Sequence, residues 1–277
     1  DIEDKINHIV LDLKKSFKDD LSNIKILFSL QGSKDYFLEI KNKINKKYEN
    51  IDLDIIYSGD KGLCKSRNNS IKNTNSYFIH FLDADCRFNF NNLERKNYLK
   101  KLNTNKDCIV FLKSPLINFK KSFSMSLFLE SINLKIKNNF FNFLKSAISM
   151  PSYAIIIPKF YFDKYNLAFD EKLGLGTKLN QSEEICLLLN IFKKNPKLKF
   201  IFIYSKGFSA ESKSHITNRS QTLNQMLSKG YVVNNVMPVT GILILPFISF
   251  LFYLKFRRII SLLDAFIYIY KGYFKIY

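Results

Sequence analysis

An open, mostly parallel α/β sheet with helices on both faces, followed by a C-terminal helical extension, is the architecture this sequence predicts. Three observations point to it. Short apolar runs suited to buried strands alternate with amphipathic or Lys-rich stretches of helical spacing. The polar and Gly-containing loops follow the carboxyl ends of those runs, where open sheets hold ligands. Beyond about residue 220 the alternation gives way to long apolar segments, which divides the chain into 1–220 and 221–277. With 277 residues, 47% hydrophobic and only 9 Gly and 6 Pro, the composition supports a real core. It excludes collagen-like, disulfide-scaffold and globally disordered classes.

Ile2, Ile6, Ile9, Leu13 and Phe17 recur at steps of three and four, which predicts an amphipathic helix against a sheet. Ile24 to Leu30 is the first buried strand, broken by Gln31-Gly32-Ser33 before a Lys-rich helix that runs to about Tyr48. A second strand at Ile51 to Tyr57 leads through Ser58 to Gly62 into a helix over Lys65 to Asn73. Tyr77 to Leu82 is a third strand, ending in Asp83-Ala84-Asp85. A helix follows near Asn92 to Leu102, then a strand at Cys108 to Leu112, an aromatic Lys-rich stretch from Phe119 to Ala147 and a strand at Tyr153 to Ile157. The helix Glu183 to Lys194 and the strand Lys199 to Tyr204 complete the pattern.

The formal charge is +19, which invites an acidic partner. The basic residues are dispersed along the chain with no single stripe, and this argues against a nucleic-acid groove. Cys64, Cys86, Cys108 and Cys186 form no C-x-x-C pair, so reduced thiols in a cytoplasmic setting are expected. Asp1 to Asp20 is charged at helical spacing and does not read as a secretion signal.

Phe81-Leu82-Asp83-Ala84-Asp85 is the strongest local signal, because carboxylates two apart at a strand's end project to one side. Two hard oxygen donors suit Mg2+ or Mn2+ bridging phosphate oxygens. An isolated D-x-D is more often a plain acidic turn, so its context decides. That context is Gly62-Leu63-Cys64-Lys65-Ser66-Arg67-Asn68-Asn69-Ser70-Ile71 upstream and Phe169-Asp170-Glu171-Lys172-Leu173-Gly174-Leu175-Gly176-Thr177, then Ser182-Glu183-Glu184, downstream. In this order, over roughly residues 24 to 220, the motifs resemble the family 2 inverting glycosyltransferases of the Rossmann-like GT-A fold, of the bacterial surface-polysaccharide type.

The resemblance implies transfer of a sugar from a nucleotide-diphosphate donor, a UDP-sugar foremost, to a hydroxyl of a growing, lipid-linked surface glycan. It implies Mn2+ or Mg2+ on Asp85, with Asp83 at the ribose or on the metal through water, and His215, or Glu211 in its place, as a third ligand. Arg67 would lie near the donor diphosphate, Ser29 to Gln31 at the nucleobase, Asp60 as a further donor contact, and Gly174 and Gly176 in the acceptor-side loop. Glu184 would be the base and Glu183 its reserve; Ser182 stands where the family commonly has Gly. Each has a plainer reading. Arg67 could pair with a surface carboxylate, the glutamates could simply favour a helix N-terminus, and His215 could be a solvated loop residue.

From Gly230 to Leu254 no charge appears, and then Lys255, Arg257 and Arg258 follow. Val239 to Leu254, at about 1.5 Å per residue, falls short of a hydrocarbon core of roughly 30 Å. The segment better suits an interfacial helix on anionic lipid, or a buried or oligomer-forming helix. The expectation is a cytoplasmic enzyme, peripheral on the inner face of the plasma membrane. Two other classes compete: a nucleic-acid-binding protein using its basic surface, and a non-catalytic GT-A scaffold. The ordered acidic motifs argue against both.

Overall fold

The structure is a computed structural model and describes residues 2–59, 61–113, 152–210, 218–236 and 238–276. Helix α1 (Ile2–Phe17) buries Ile6, Ile9, Leu13 and Phe17 of the stripe its spacing predicts and adds Val10, while Ile2 is half-buried. Strand β1 (Ile26–Leu30), α2 (Lys34–Lys47) and β2 (Leu53–Tyr57) then form a parallel unit with Ile26 opposite Leu53 and Leu30 opposite Tyr57. Ser33 starts α2 by accepting the Tyr36 N–H, which satisfies one of the free donors of the first turn. Next come α3 (Leu63–Lys72), β3 (Phe78–His80), β4 (Cys86–Phe88), α4 (Asn92–Thr104) and β5 (Cys108–Lys113).

After residue 151 the described chain resumes with β6 (Ile155–Pro158), α5 (Phe160–Tyr165), α6 (Glu183–Lys194), β7 (Lys199–Tyr204) and β8 (Phe208–Ala210). The central sheet has the order β3-β6-β5-β7. Its longest register is the parallel pairing of β5 with β7, from Cys108 opposite Lys199 to Lys113 opposite Tyr204. The antiparallel ladders are shorter: β6 with β3 and β5, and β4 with β8. The fold is therefore the expected α/β sheet with parallel pairing dominant and flanking helices. Strands β5 and β6 are buried along almost their whole length, as apolar runs covered on both faces must be. His80 is satisfied inside β3: one ring nitrogen bonds the Tyr153 carbonyl at 2.8 Å, and burial lowers its pKa to about 4. All four cysteines are buried and free.

The C-terminal part comprises α7 (Arg219–Val236), α8 (Leu245–Phe256) and α9 (Leu262–Tyr273). Helices α7 and α9 cross where Gly230 meets the Ile269 carbonyl and Gly272 meets the Leu227 carbonyl, so close that neither site has room for a Cβ. A separate apolar cluster of Met226, Leu245, Ile248, Ile260, Ala265, Ile269 and Tyr273 holds the three helices together. Among the described residues no helix is long and apolar enough to cross a membrane.

Candidate active site

The tips of β1 and β2 are locked to the start of α3. Gln31 grips the main chain of Gly62 from both sides: its Nε2 donates to the Gly62 carbonyl at 2.9 Å, and the Gly62 N–H donates to its Oε1 at 3.4 Å. Ser29 shares a hydrogen bond with Ser58 and accepts one from Ser66 at 2.6 Å. Asn69 reaches the same cluster by donating to Ser58 at 3.3 Å. Ser29 and Gln31 thus sit at the strand tip expected for them, with their side chains engaged in joining β1, β2 and α3. Asp60 lies outside the described residues.

Arg67, on the second turn of α3, is the hub. Its side chain is 7% exposed, and its guanidinium lies 5.6 Å from the Phe81 ring centroid and 5.3 Å from that of Phe169. Nη1 donates to Glu184 at 3.0 Å and to Glu183 at 3.3 Å, and Nη2 lies 3.7 Å from an Asp83 oxygen. One cation therefore joins the D-x-D turn to the start of α6, a hundred residues further along the chain. The sequence placed Arg67 by a donor diphosphate; in the structure its described partners are these three carboxyls.

Ser182 caps α6 in the left-handed region at φ 77, a conformation that glycine adopts without strain. This explains physically why a Gly would suit the position, and the buried Ser182 hydroxyl has no hydrogen-bond partner. The two glutamates that follow differ sharply. Glu183 is buried, and burial together with the Glu184 charge and a hydrogen bond to Glu184 pushes its pKa well above the usual carboxylate range. Burial also works against a charge on Glu184, yet the Arg67 charge and hydrogen bonds from Glu183 and Arg67 outweigh it and hold its pKa below the usual value. The two shifts run in opposite directions, so ionisation of Glu184 is favoured over that of Glu183, and Glu184, with 19% of its side chain exposed, is the more accessible partner. Asp83 is raised by burial and by the charges of Asp85 and Glu184, with Arg67 opposing.

Gly174 adopts φ +90, and a Cβ there would stand 3.0 Å from the Cys64 sulfur and 3.5 Å from the Glu183 carboxyl carbon. The loop thus closes directly over the buried acid. Gly176 lies against Gly62, and the neighbouring Leu175 carbonyl accepts the Leu63 N–H at 3.0 Å. Asn68 secures the same loop by donating to the Phe169 carbonyl at 3.0 Å and to Glu171 at 3.1 Å, and by accepting the Phe169 N–H at 2.8 Å. Asp170 accepts from Tyr231 at 2.6 Å and Asn235 at 3.3 Å, both on α7. The Asn68 contact follows from a motif residue whose role the sequence left open. Tyr231 and Asn235 lie in a segment with no local signature, and nothing in the sequence pointed to them.

Asp83 and Asp85 flank the turn between β3 and β4, half-buried. Among the described residues no cluster of three or more His, Cys, Asp or Glu could by itself hold a metal; Glu211 and His215 lie outside them. Two hard oxygen donors amid excess negative charge fit Mg2+ or Mn2+, which complete their shells with water and phosphate. Between Arg67, Phe81, Phe169, Glu184 and the β6 residues Ile155 and Ile157 the pocket is narrow, about 10 Å3, room for about one water.

A family model described as glycosyl transferase family 2 matches residues 3–161, over half of the chain. No curated protein matches the sequence. Among solved structures, residues 1–349 of S. aureus TarS align with a TM-score of 0.55 at 13% identity, covering 99% of this chain and 88% of that one. The same fragment in complex with UDP-GlcNAc aligns at 0.52 and 14% identity, covering 91% and 69%. The mannosyltransferase PcManGT from Pyrobaculum calidifontis, in complex with GDP-Man and Mn2+, aligns at 0.58 and 8% identity, covering 98% and 70%. Against the longer TarS structure the chain spans about half, 53%.

Proposed function

Because the chain belongs to glycosyl transferase family 2 and is a GT-A glycosyltransferase, we propose that it moves a sugar, with inversion, from a nucleotide-diphosphate donor to a hydroxyl of a surface glycan. The observation that carries this reading is the meeting of Asp83 and Glu184 on one guanidinium. Donor and acceptor chemistry must converge within a few ångströms, and these groups come from the two motifs the reaction needs.

Glu184 takes the proton of the acceptor hydroxyl as that oxygen attacks the anomeric carbon and the carbon–oxygen bond to the diphosphate breaks. Its lowered pKa keeps it ionised at neutral pH, and Arg67 and protonated Glu183 orient it. Glu183, buried and neutral, is poorly suited to the same task and remains the reserve. Asp85 and Asp83, with His215 or Glu211, would hold Mn2+ or Mg2+, which offsets the negative charge of the departing diphosphate. The cluster's excess of acids supports that assignment, since an anionic diphosphate beside Asp83, Asp85 and Glu184 would otherwise be repelled. Neighbouring structures hold UDP-GlcNAc or GDP-Man, which supports a hexosyl or N-acetylhexosaminyl nucleotide donor. We assign catalysis to 1–220 and place the protein at the inner face of the plasma membrane, acting on a lipid-linked acceptor.

Thermal shift with UDP, GDP, CDP and dTDP, each with Mn2+ and with chelator, tests the donor reading. One nucleotide should raise the melting temperature in Mn2+ and lose that effect in chelator. Failure of all four to stabilise the protein would remove the donor site from the proposal.

A further inference from the structure

Resting on the membrane placement proposed above, we infer that the outward faces of α8 and α9 form its docking surface for an anionic lipid bilayer. Helix α9 has two apolar faces. Ala265, Ile269, Gly272 and Tyr273 are buried on the side that meets α7. Leu263, Ile267 and Phe274 are exposed on the opposite side, with Tyr270 between them half-buried against the cluster of the three helices. Leu263 is 67% and Phe274 53% exposed. The rings of Phe266, Tyr270 and Phe274 follow one another at 6.3 and 6.4 Å, an aromatic ladder along the helix. Helix α8 shows the same division: Leu245 and Ile248 are buried, whereas Phe250 and, just before the helix, Leu243 are 46% and 78% exposed. Scattered exposed apolar side chains are ordinary; Leu262, Leu263, Ile267 and Phe274 exposed along one short helix and its end mark an interaction surface.

Charge selects the occupant. From residue 219 to 277 there are seven Lys and Arg against one acid, Asp264. Asp264 is already committed: it accepts the Ser261 N–H in the α9 cap and pairs with Arg219 at 3.0 Å. Arg257 and Arg258, exposed in the turn between α8 and α9, line with Arg219 and Tyr253 an open concavity of about 540 Å3. Apolar side chains beside the exposed Arg257 and Arg258 complement acyl chains beneath anionic headgroups. A second copy of the same face would set the positive excess against itself, since the one acid of residues 219–277, Asp264, is paired with Arg219. Each helix has 12 residues, about 18 Å at 1.5 Å per residue, too short to cross the bilayer and suited to lying in its interface.

Flotation of the full chain with vesicles, in the absence of donor and acceptor, tests the surface independently of catalysis. The protein should float with phosphatidylcholine vesicles containing phosphatidylglycerol and remain behind with phosphatidylcholine alone. Leu263→Glu with Ile267→Glu should reduce flotation at least tenfold at an unchanged melting temperature, as expected when apolar contact drives insertion. Arg257→Glu with Arg258→Glu, at exposed positions that leave the core intact, should weaken binding and abolish its sensitivity to salt. Three results would overturn the inference: no flotation of the unaltered protein on anionic vesicles, equal flotation of either double variant, or a dimer by light scattering that Leu263→Glu with Ile267→Glu converts to monomer.

Discussion

Around Arg67, α3 and α6 meet through charge-assisted hydrogen bonds to Glu183 and Glu184, each with a required direction, and the β3–β4 turn joins them through the Asp83 ion pair at 3.7 Å. Between α7 and α9, contact rests on glycine backbone and apolar packing, and the ion pair of Arg219 with Asp264 sits near the surface. The first region pushes two neighbouring acids in opposite directions, Glu183 up by burial and Glu184 down by the Arg67 charge. The second fixes only a distance, leaving its outer face free to carry an unrelated chemistry. Substitutions in the first should therefore act strongly and on chemistry, and those outside the second should spare the fold.

The sharpest way to break this contrast is Arg67→Met, which keeps the apolar contact with Phe81 and Phe169 while removing the only described cation on the three carboxyls. Breaking a buried pair while leaving its partners costs about 3–5 kcal/mol, read as a fall in the urea midpoint. A loss below about 1 kcal/mol, the range of exposed pairs, would show that solvent already screens the cluster and that the two regions do not differ as argued.

Much of this cluster was legible because its chemistry is local. Arg67 with Asn68, Asp83 with Asp85, and Glu183 with Glu184 each stand within short motifs, so residue type and spacing announce them. What no motif states is the partner. That Arg67 belongs to the glutamates, and that Asn68 holds the Phe169 loop, depends on contacts about a hundred residues apart. The strands show the same limit. The runs at Ile26–Leu30, Cys108–Lys113 and Lys199–Tyr204 are long and apolar enough to be read as buried strands. Cys86–Phe88 and Phe208–Ala210 are three residues each, too short for a period-2 pattern, and exist as strands only through pairing with each other. Nor does an apolar run such as Ile155–Pro158 state its direction, so its antiparallel place between β3 and β5 was invisible.

The division of labour between the glutamates gives the next effect. Glu184→Gln should retain donor binding and lower transfer about 100-fold or more, as for a lost general base. Glu183→Gln, an uncharged match for an acid already protonated, should cost far less. Equal losses in single-turnover assays would mean that both act in the chemistry. The pH dependence carries the same distinction. Because the Glu183 pKa is raised on folding, its contribution to stability is full below the ordinary carboxylate pKa of about 4.3 and is lost as pH rises through the folded value. Glu183→Gln should flatten the melting profile on that alkaline side; parallel profiles would contradict a protonated Glu183.

The smallest expected effect joins the two regions. Tyr231 donates to Asp170 at 2.6 Å, and Asn235 adds a second bond at 3.3 Å, so the loop that closes over Glu183 is tied to the same α7 that packs on α9. Tyr231→Phe removes one bond and keeps the ring and the Asn235 contact, so the loss should be about 1 kcal/mol. If the C-terminal helices serve only as an anchor, that loss should appear in the melting temperature alone. If they also set the proposed acceptor loop, KM for acceptor should rise several-fold while donor affinity stays fixed, because the proposed donor residues Ser29 and Gln31 are held by Ser66 and Gly62 and Tyr231 holds Asp170. The split between acceptor and donor parameters therefore decides whether directional bonding ends at the Arg67 cluster or extends into the apolar part of the molecule.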